Sequence, residues 1–247
     1  MTTISGKVAL VTGGANGIGL AIVNSLLEND VKGVAMVDIT KSEGFESLQH
    51  KYGSKVIFLN ADVTKGTQLE DAFEKTVQTF KNLDLVFNNA GIADEDRKEE
   101  MIALNLMAVV RGTCLALEKY FPKHKSSSEE PVIVNTASIF GLDTWPIYPV
   151  YCASKHGVIG FGKALSMPEA YTNHKTKIIS ICPTLIKTNL TTLFMVQNPD
   201  MPYLTPDEVG KRVMDILKKT QGCATWVIDV NKTYEVEFPP KESLEKE

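Results

Sequence analysis

The sequence predicts an α/β protein built on a doubly wound parallel sheet with helices on both faces. Short apolar runs rich in Val and Ile alternate with longer amphipathic stretches along most of the chain, and most of the runs are bounded by Gly, Asp, Asn or Pro. Such runs are typical of parallel strands buried on both faces. Alternation of strands and helices is typical of βαβ units. We expect about seven strands in a single domain that spans residues 1–247.

Each element can be assigned from these runs. The candidate strands are residues 7–12, 34–38, 56–60, 83–88, 131–137, 177–182 and 225–230, and the candidate helices are 17–29, 42–52, 69–80, 98–120, 149–171 and 206–220. Pro168 should kink or end its helix, because proline lacks an N–H group and clashes with the preceding turn. A further run, 234–238, is expected to pair with 226–230. Residues 239–247 are expected to form a flexible tail.

Composition narrows the classes of function. The 247-residue chain has a net charge of −4, with 43% hydrophobic and 23% charged residues, which is ordinary for a globular protein. The absence of a basic block argues against nucleic acid or an anionic membrane as partner. The four cysteines form no CxxC pair, so we expect reduced thiols and no metal site. No run of 18 apolar residues occurs, so we expect no membrane insertion and a cytoplasmic protein.

The first predicted strand ends in a glycine-rich turn, Thr-Gly-Gly-Ala-Asn-Gly-Ile-Gly, residues 12–19. Gly13 allows a tight turn, and Gly17 and Gly19 let the backbone approach a pyrophosphate and let helix and strand pack closely. Asn16 and Ile18 lie between these glycines. The helix that begins here offers N–H groups and the positive end of its dipole. The turn therefore predicts a dinucleotide site.

An acidic residue predicts which dinucleotide is preferred. Asp38 ends the second predicted strand, 19 residues after Gly19. A carboxylate at this place accepts hydrogen bonds from the adenine ribose and repels a 2′-phosphate. Ile39 follows it, Asn rather than Arg or Lys stands at position 16, and Lys41 is the one nearby cation. We therefore favour NAD over NADP as cofactor.

The spacing Gly-x-x-x-Gly-x-Gly, together with Asn-Asn-Ala-Gly at residues 88–91, resembles the short-chain dehydrogenase/reductase family. The resemblance covers roughly residues 5–238 and implies a Rossmann-type fold. It implies that Asp62 and Val63 contact the adenine. It also implies that the segment after the fourth strand lines the cofactor site, through Asn89, Ala90 and Gly91.

Four further residues are candidates for catalysis. Taken singly, Asn105 could be a buried Asn on backbone groups and Ser138 a turn cap. Tyr151 and Lys155, four apart, could simply share a helix face. All four stand in the order and spacing of the family, which implies that they are its catalytic set. The resemblance implies that Asn105 holds a water in a proton relay and that Lys155 also binds the nicotinamide ribose.

The pairing of Tyr151 with Lys155 has a chemical basis. A nearby ammonium favours the phenolate and lowers the pKa of tyrosine from about 10. Tyr151 can then act as the general base that takes the alcohol proton. Ser138 can hydrogen-bond the substrate oxygen and stabilise developing charge.

The sixth predicted strand leads into the nicotinamide side and the substrate side of the site. By resemblance, Pro183, Ile186 and Thr188 contact the nicotinamide, although Thr184 stands where the family usually has Gly. Residues 190–205 are predicted to form a lid, either partly packed in the core or closing over an apolar, lipid-like alcohol. Its apolar and aromatic members are Leu193, Phe194, Met195, Val196, Met201, Pro202 and Tyr203, and Trp145 and Tyr148 are expected to line the same pocket.

The sequence therefore predicts an NAD-dependent enzyme that oxidises a secondary or primary alcohol. Residues 149–161 and 226–238 are most similar to the 15-hydroxyprostaglandin dehydrogenase-like and insect alcohol dehydrogenase-like branches of the family. An NADP-linked carbonyl reductase and a non-catalytic dinucleotide sensor are the alternatives. The resemblance also implies a homodimer through the two long helices, to which Ala108, Gly112, Gly160 and Ala164 would bring small residues for close packing.

Overall fold

Eight strands form one sheet in the computed structural model, which describes residues 2–126 and 129–239, without the side chains of residues 193, 194 and 197. The strand order is β3-β2-β1-β4-β5-β6-β7-β8. The strands are β1 (Val8–Thr12), β2 (Gly33–Asp38), β3 (Val56–Asn60), β4 (Leu85–Asn88), β5 (Val132–Thr136), β6 (Lys177–Pro183), β7 (Ala224–Ile228) and β8 (Thr233–Glu235).

The predicted α/β class is confirmed, with one correction to the strand count. All neighbouring strands from β3 to β7 pair in parallel, and the central strands are buried along their length. The eighth strand is β8, which pairs antiparallel with β7 and places Tyr234 opposite Val227. It begins one residue earlier and is shorter than the predicted run 234–238. The predicted tail, residues 239–247, lies beyond the described chain except for residue 239.

Eight α-helices of four residues or more lie in the described part of the chain. They are α1 (Gly17–Glu28), α2 (Glu43–Tyr52), α3 (Gly66–Phe80), α4 (Lys98–His124), α5 (Pro149–Leu165), α6 (Pro168–His174), α7 (Thr192–Gln197) and α8 (Pro206–Lys219). The predicted helix 149–171 is thus two helices. Met167 is extended and Pro168 opens α6, because a residue before proline avoids the helical region while proline suits the first helical position.

Helix α4 differs from its prediction in two respects. It runs on to His124, and it contains two π-helical turns, Ala103–Met107 and Leu115–Tyr120. By length and composition alone α4 could cross a membrane, since an 18-residue stretch of it has a mean hydropathy of 1.5. A core helix of a globular protein passes the same test, and here Met101 and Tyr120 are buried.

The helices pack in two layers. Helices α1, α2 and α8 cover one face, where Ile22, Phe45 and Val213 join one core cluster. Helices α3 and α4 cover the other face through residues such as Phe73 and Tyr120. Connections of this kind bring the carboxyl ends of the strands, with the turns that follow them, to one edge of the sheet.

Two of the small residues expected on a dimer face lie inside the protomer instead. Ala108 is buried in the core cluster beneath α3 and α4. Gly112 packs against Asn88, whose Oδ1 would lie 2.3 Å from a Cβ at that position. Gly160 and Ala164 on α5 are exposed. The expectation for Ala108 and Gly112 is therefore wrong, because the face of α4 that carries them packs on the sheet.

Candidate active site

A cavity of about 730 Å³ opens at the carboxyl ends of the parallel strands, beside the junction of β1 and β4. This is the point where the strand order reverses, and it is where open α/β sheets bind ligands. Most of the residues predicted for the site line this cavity, whereas Gly19 and Asn105 lie behind it. The predicted lining residues are Gly13, Asn16, Gly17, Ile18, Asp38, Ile39, Asp62, Val63, Asn89, Ala90, Gly91, Ser138, Tyr151, Lys155, Pro183, Ile186 and Thr188.

The glycine-rich turn has the backbone that only glycine adopts readily. Gly13 and Gly17 have φ of 62° and 53°, in the left-handed region. A Cβ on Gly19 would lie 2.0 Å from the carbonyl oxygen of Gly13, so this glycine lets α1 pack behind the turn. Helix α1 begins at Gly17. N–H groups in the first turn of a helix have no partner within the helix, so they can bind an anion.

The turn is fastened to the end of β2 through Ala15. Its N–H donates to Asp38 Oδ2 at 3.0 Å, and its carbonyl oxygen accepts from Ser42 Oγ at 2.6 Å. Ser42 also accepts from the N–H of Phe45 and thereby caps α2. Sequence reasoning missed Ser42. Serine before a helix is a recognised cap signal, but its second contact with Ala15 depends on the tertiary fold.

The residues around Asp38 determine how much positive charge this end of the cavity offers to a ligand. Asp38 Oδ1 accepts from the N–H of Ile39 at 2.8 Å, and each carboxylate oxygen can accept a further hydrogen bond. The Lys41 ammonium lies 3.7 Å from a Glu46 carboxylate oxygen and 5.0 Å from the centre of the Phe45 ring. Lys41 thus has neighbours on α2, whereas a second cation, Lys65, lines the cavity beside Asp62.

The turn after β3 is held in a similar way. Asp62 Oδ1 accepts from the Thr64 hydroxyl at 2.6 Å and from its N–H at 2.9 Å, and the hydroxyl contact keeps the pKa of Asp62 below its ordinary value. Arg111 on α4 donates to the carbonyl oxygen of Thr64 at 2.9 Å. Asp62 is therefore a fixed carboxylate on the cavity wall.

The turn after β4 is bonded directly to the glycine-rich turn. Asn89 Nδ2 donates to the carbonyl oxygens of Thr12 and Gly13 at 3.1 and 3.3 Å. The Thr12 hydroxyl accepts from the N–H groups of Asn89 and Ala90 at 2.9 and 3.1 Å. Four hydrogen bonds therefore join the two turns, and Thr12 is a second positioning residue that sequence reasoning missed.

Three of the four predicted catalytic residues lie together on the cavity wall. Ser138 follows β5, and its Oγ accepts from the N–H of Phe140 at 3.2 Å. Tyr151 and Lys155 lie one turn apart on α5. The Lys155 ammonium donates to the carbonyl oxygen of Thr136 at 2.8 Å and lies 5.6 Å from the centre of the Tyr151 ring. The predicted shared helix face is thus present in the structure.

Burial dominates the electrostatics of this group. It raises the pKa of Tyr151 to about 12, although a hydrogen bond with the Ser138 hydroxyl acts in the opposite direction. Burial also lowers the pKa of Lys155 to about 8. The sequence predicted that Lys155 lowers the pKa of Tyr151. Without cofactor, desolvation of the phenolate outweighs the Ser138 hydrogen bond, and the effect of Lys155 together with bound cofactor stays a prediction.

Asn105 lies behind the cavity at the first π-helical turn of α4. Its Oδ1 accepts from the N–H of Ile92 at 2.9 Å, and its Nδ2 donates to the carbonyl oxygen of Ile92 at 2.8 Å and to Ser154 Oγ at 3.2 Å. A Cβ on Gly91 would lie 3.1 Å from Asn105 Oδ1 and 3.6 Å from the Lys155 ammonium. Asn105 and Lys155 thus both stand beside Gly91, and the part of Asn105 in a water relay stays a prediction.

The segment after β6 accommodates the unusual Thr184. Its N–H and its hydroxyl both donate to the carbonyl oxygen of Ile228, at 3.0 and 3.3 Å, so the side chain adds a bond to β7. Ile186 is buried, while the methyl group of Thr188 lies 3.3 Å from the position of a Cβ on Gly17. This segment therefore closes the cavity against the start of α1.

The predicted lid, residues 190–205, contains the helix α7. Leu190 lines the cavity and is 45% exposed. Val196 and Met201 are 74% and 40% exposed, whereas Leu204 is buried. The segment thus carries apolar side chains in water while its far end is anchored in the core. The predicted contributions of the Leu193 and Phe194 side chains lie outside the described residues.

Trp145 and Tyr148 do not belong to the lining among the residues that the structure describes. The Trp145 ring lies 5.9 Å from that of Phe140, which in turn meets the Tyr151 ring edge-on at 6.5 Å. The expectation that Trp145 lines the pocket directly is therefore wrong, and its contact with Tyr151 runs through Phe140.

Four charged residues that sequence reasoning did not single out lie near the site. Lys65, Glu100 and Lys187 line the cavity, and Glu95 accepts hydrogen bonds from the backbone at the start of α5. Charged residues on a surface segment are common, so the sequence offers no signal for them. In residues 2–126 and 129–239, no group of three or more His, Cys, Asp and Glu residues is placed to hold a metal.

Comparison with known proteins assigns the family. Residues 7–197 match the family described as short chain dehydrogenase. The chain is 39% identical over 189 residues to 15-hydroxyprostaglandin dehydrogenase [NAD(+)] of Macaca fascicularis, covering 75% of this chain and 70% of that protein. It is 30% identical over 190 residues to Alcohol dehydrogenase 1 of Ceratitis capitata, covering 76% and 73%.

Solved structures have the same fold. A short-chain dehydrogenase/reductase from Burkholderia phymatum, crystallised in complex with NAD, aligns with a TM-score of 0.77 over 91% of this chain and 90% of its own, at 22% identity. This likeness shows the fold. Because residues 7–197 match the family and the relative from Macaca fascicularis is 39% identical, the chain belongs to the short-chain dehydrogenase/reductase family.

Proposed function

We propose that this chain binds NAD and oxidises a secondary or primary alcohol to the corresponding carbonyl compound. The observation that carries the proposal is that Ser138, Tyr151 and Lys155 share one cavity with the glycine-rich turn and Asp38. A cavity that combines a dinucleotide cradle with a buried Tyr–Lys pair can hold cofactor and alcohol side by side.

The residues present fit NAD better than NADP. Gly17 presents no side chain at the start of α1, where a pyrophosphate would lie. Asp38 would accept hydrogen bonds from the adenine ribose and repel a 2′-phosphate. Lys41, exposed beside Glu46, and Lys65, on the cavity wall, both remain available to an anion, so the choice rests on the Asp38 carboxylate. The names of the mammalian relatives, which include NAD(+), support the same choice.

The side chains have distinct parts in the proposed reaction. Bound NAD supplies the acceptor for the hydride that leaves the alcohol carbon. Tyr151 accepts the proton of the alcohol hydroxyl, and Ser138 hydrogen-bonds the same oxygen as its charge changes. Lys155 in its charged form stabilises the Tyr151 phenolate. Asn105 is proposed to hold a water through which Lys155 exchanges protons with solvent.

The pKa values define what binding must change. With a pKa of about 12, Tyr151 is protonated near neutral pH, so it cannot serve as a base until positive charge is brought close to it. Lys155 has a pKa of about 8, and its ammonium already donates to the carbonyl oxygen of Thr136. A second acceptor or an anion beside the ammonium would raise this pKa and so favour the charged form. The proposal therefore requires that cofactor binding lowers the pKa of Tyr151 by several units.

The substrate is proposed to be apolar or lipid-like. Leu190, on the cavity wall, and the exposed Val196 and Met201 offer an apolar surface in the segment beside the cavity. The relatives act, by their names, on a hydroxyprostaglandin, an alcohol and a 3β-hydroxysteroid, and the last belongs to Eggerthella lenta with 34% identity over 199 residues.

The test is NAD-coupled turnover of a panel containing aliphatic alcohols, retinoids, terpenols, hydroxysteroids and prostaglandins. We expect NADH formation with at least one apolar alcohol and an abolished rate, by about a thousandfold or more, in Tyr151→Phe, because this change removes the proton acceptor alone. The dissociation constant for NAD should stay within about threefold, since Lys155 still supplies the cation.

Each alternative has its own outcome in this experiment. Tight NADP binding with weak NAD binding would favour a carbonyl reductase. NAD binding without turnover across the panel would favour a dinucleotide sensor. Substantial activity in Tyr151→Phe would contradict the role of Tyr151 and leave the choice of cofactor standing.

A homodimer through α4 and α5 is part of the proposal. On α5, Ala153, His156, Gly160 and Ala164 are exposed along one side, and Met107 on α4 is 46% exposed. Small residues allow two helices to approach closely. Sedimentation equilibrium should give twice the protomer mass, and Gly160→Arg should shift the protein to monomer.

A further inference from the structure

The helix that carries Tyr151 begins without a cap of its own. Pro149 stands at its first position and has no N–H group. Tyr148, at the N-cap, makes no side-chain hydrogen bond to the helix within the described chain. The N–H groups of Val150 and Tyr151 therefore need acceptors from another part of the molecule, because the first turn of a helix cannot supply them.

Glu95 provides those acceptors. Its Oε1 lies 2.9 Å from the backbone nitrogen of Tyr151 and 3.1 Å from that of Val150, and its Oε2 lies 3.3 Å from the Val150 nitrogen. The residue is half-buried in the segment after β4. A carboxylate at the positive end of a helix forms charge-assisted hydrogen bonds, which are shorter and stronger than neutral ones.

The segment that holds Glu95 is itself anchored. Both backbone groups of Ile92, three residues earlier, are bonded to the side-chain amide of Asn105 at 2.8 and 2.9 Å. Asn105 also donates to Ser154 on α5. Glu95 thus links the first turn of α5 to a short segment, residues 92–95, which two hydrogen bonds fasten to Asn105 on α4.

We propose that Glu95 is a positioning residue for Tyr151. Its carboxylate holds the first turn of α5 in place and so determines where the phenol stands relative to Ser138 and Lys155. Tyr151 is only the third residue of this helix, in the region where helix ends fray. An error of about 1 Å in the position of a reacting group can reduce a rate by about a hundredfold. This inference rests on the proposed role of Tyr151 as the base.

Three substitutions of Glu95 separate the effect of side-chain length from the effect of its charge. Glu95→Gln keeps an acceptor oxygen at the same reach and removes the charge. Glu95→Asp keeps the charge but withdraws it by one methylene, and Glu95→Ala removes both. Glu99→Gln, at an exposed glutamate in the first turn of α4, is the matched control for the loss of one negative charge.

Turnover is compared with the best alcohol from the wild-type panel. We expect kcat to fall about tenfold or more in Glu95→Ala and Glu95→Asp, and less than about fivefold in Glu95→Gln. KM for NAD should stay within about twofold in all three, and Glu99→Gln should match the wild type. A kcat of Glu95→Ala within twofold of the wild type, or a higher kcat in Glu95→Asp than in Glu95→Gln, would overturn the proposal. If Glu95→Ala does not fold, the Asp–Gln order decides.

Amide hydrogen exchange gives a readout that does not need turnover. Peptides covering Val150 and Tyr151 should exchange faster in Glu95→Ala and Glu95→Asp than in the wild type, while the second half of α5 keeps its protection. Unchanged exchange at these two amides would refute the anchoring. If the wild type oxidises no alcohol in the panel, the proposed function fails, and the exchange comparison still decides whether Glu95 holds the helix.

Discussion

Replacing Gly19 by alanine tests how the cofactor cradle is built. In a helix, glycine-to-alanine normally stabilises by up to about 1 kcal/mol, because alanine has less backbone freedom to lose. At Gly19 the new Cβ would lie 2.0 Å from the carbonyl oxygen of Gly13 and 2.6 Å from Asn89 Nδ2. The first contact is with backbone, so no change of rotamer can relieve it.

The magnitude follows from how firmly the obstacle is held. An ordinary contact needs the Cβ and the Gly13 oxygen to separate by more than about 1 Å, yet Asn89 binds the carbonyl oxygens of both Thr12 and Gly13. Overpacking in a well-packed region typically costs about 1–3 kcal/mol. We therefore expect Gly19→Ala to lower the free energy of unfolding by about 2 kcal/mol and to weaken NAD binding at least tenfold, because the turn must move.

The matched control is Gly222→Ala, between α8 and β7, where an added Cβ meets nothing within 4 Å among the described residues. It should leave stability unchanged or raise it by up to about 1 kcal/mol. Urea unfolding followed by tryptophan fluorescence measures both variants, and sedimentation confirms that their assembly state is equal. The reasoning is refuted if Gly19→Ala is as stable as Gly222→Ala and binds NAD as tightly as the wild type.

Two further predictions concern charge. Asp38→Ala should weaken NAD binding and reduce the preference for NAD over NADP by about tenfold. Asp38→Asn should have an intermediate effect, because it keeps an acceptor for the N–H of Ala15. Titration with both cofactors measures the preference, and an unchanged preference would contradict the prediction. The pKa of Lys155 is lowered from 10.5 to about 8, so between those values the unfolded chain holds more protons at this residue, and the contribution of Lys155 to stability without cofactor should rise by roughly 1–2 kcal/mol from pH 8 to 9.5. The Cys182 thiol, whose pKa burial raises to about 12, acts in the opposite direction, so the wild type is compared with a variant. Lys155→Met should lose this rise in urea unfolding measured across that range; an equal rise in the variant would count against the buried cation.

Much of the fold was predictable because parallel strands buried on both faces leave a strong signal. Runs of Val and Ile located β1 to β7 to within a few residues, and Pro168 marked the end of α5. The eighth strand was harder to count, since β8 is three residues long, half-exposed and lies at the sheet edge. The π-helical turns of α4 were not predicted, because such turns are rare and no residue type marks them.

The sequence by itself determined the chemistry of the candidate site: glycines where backbone must come close, an acid at the end of β2, and a tyrosine and lysine four residues apart. Local rules suffice for these, since each depends on residue type and on spacing within one element. Only the tertiary structure decided that Glu95 meets the first turn of α5, that Ser42 and Asp38 share Ala15, and that burial dominates the pKa of Tyr151. These depend on contacts between distant segments and on the exclusion of water, which no single stretch of sequence records.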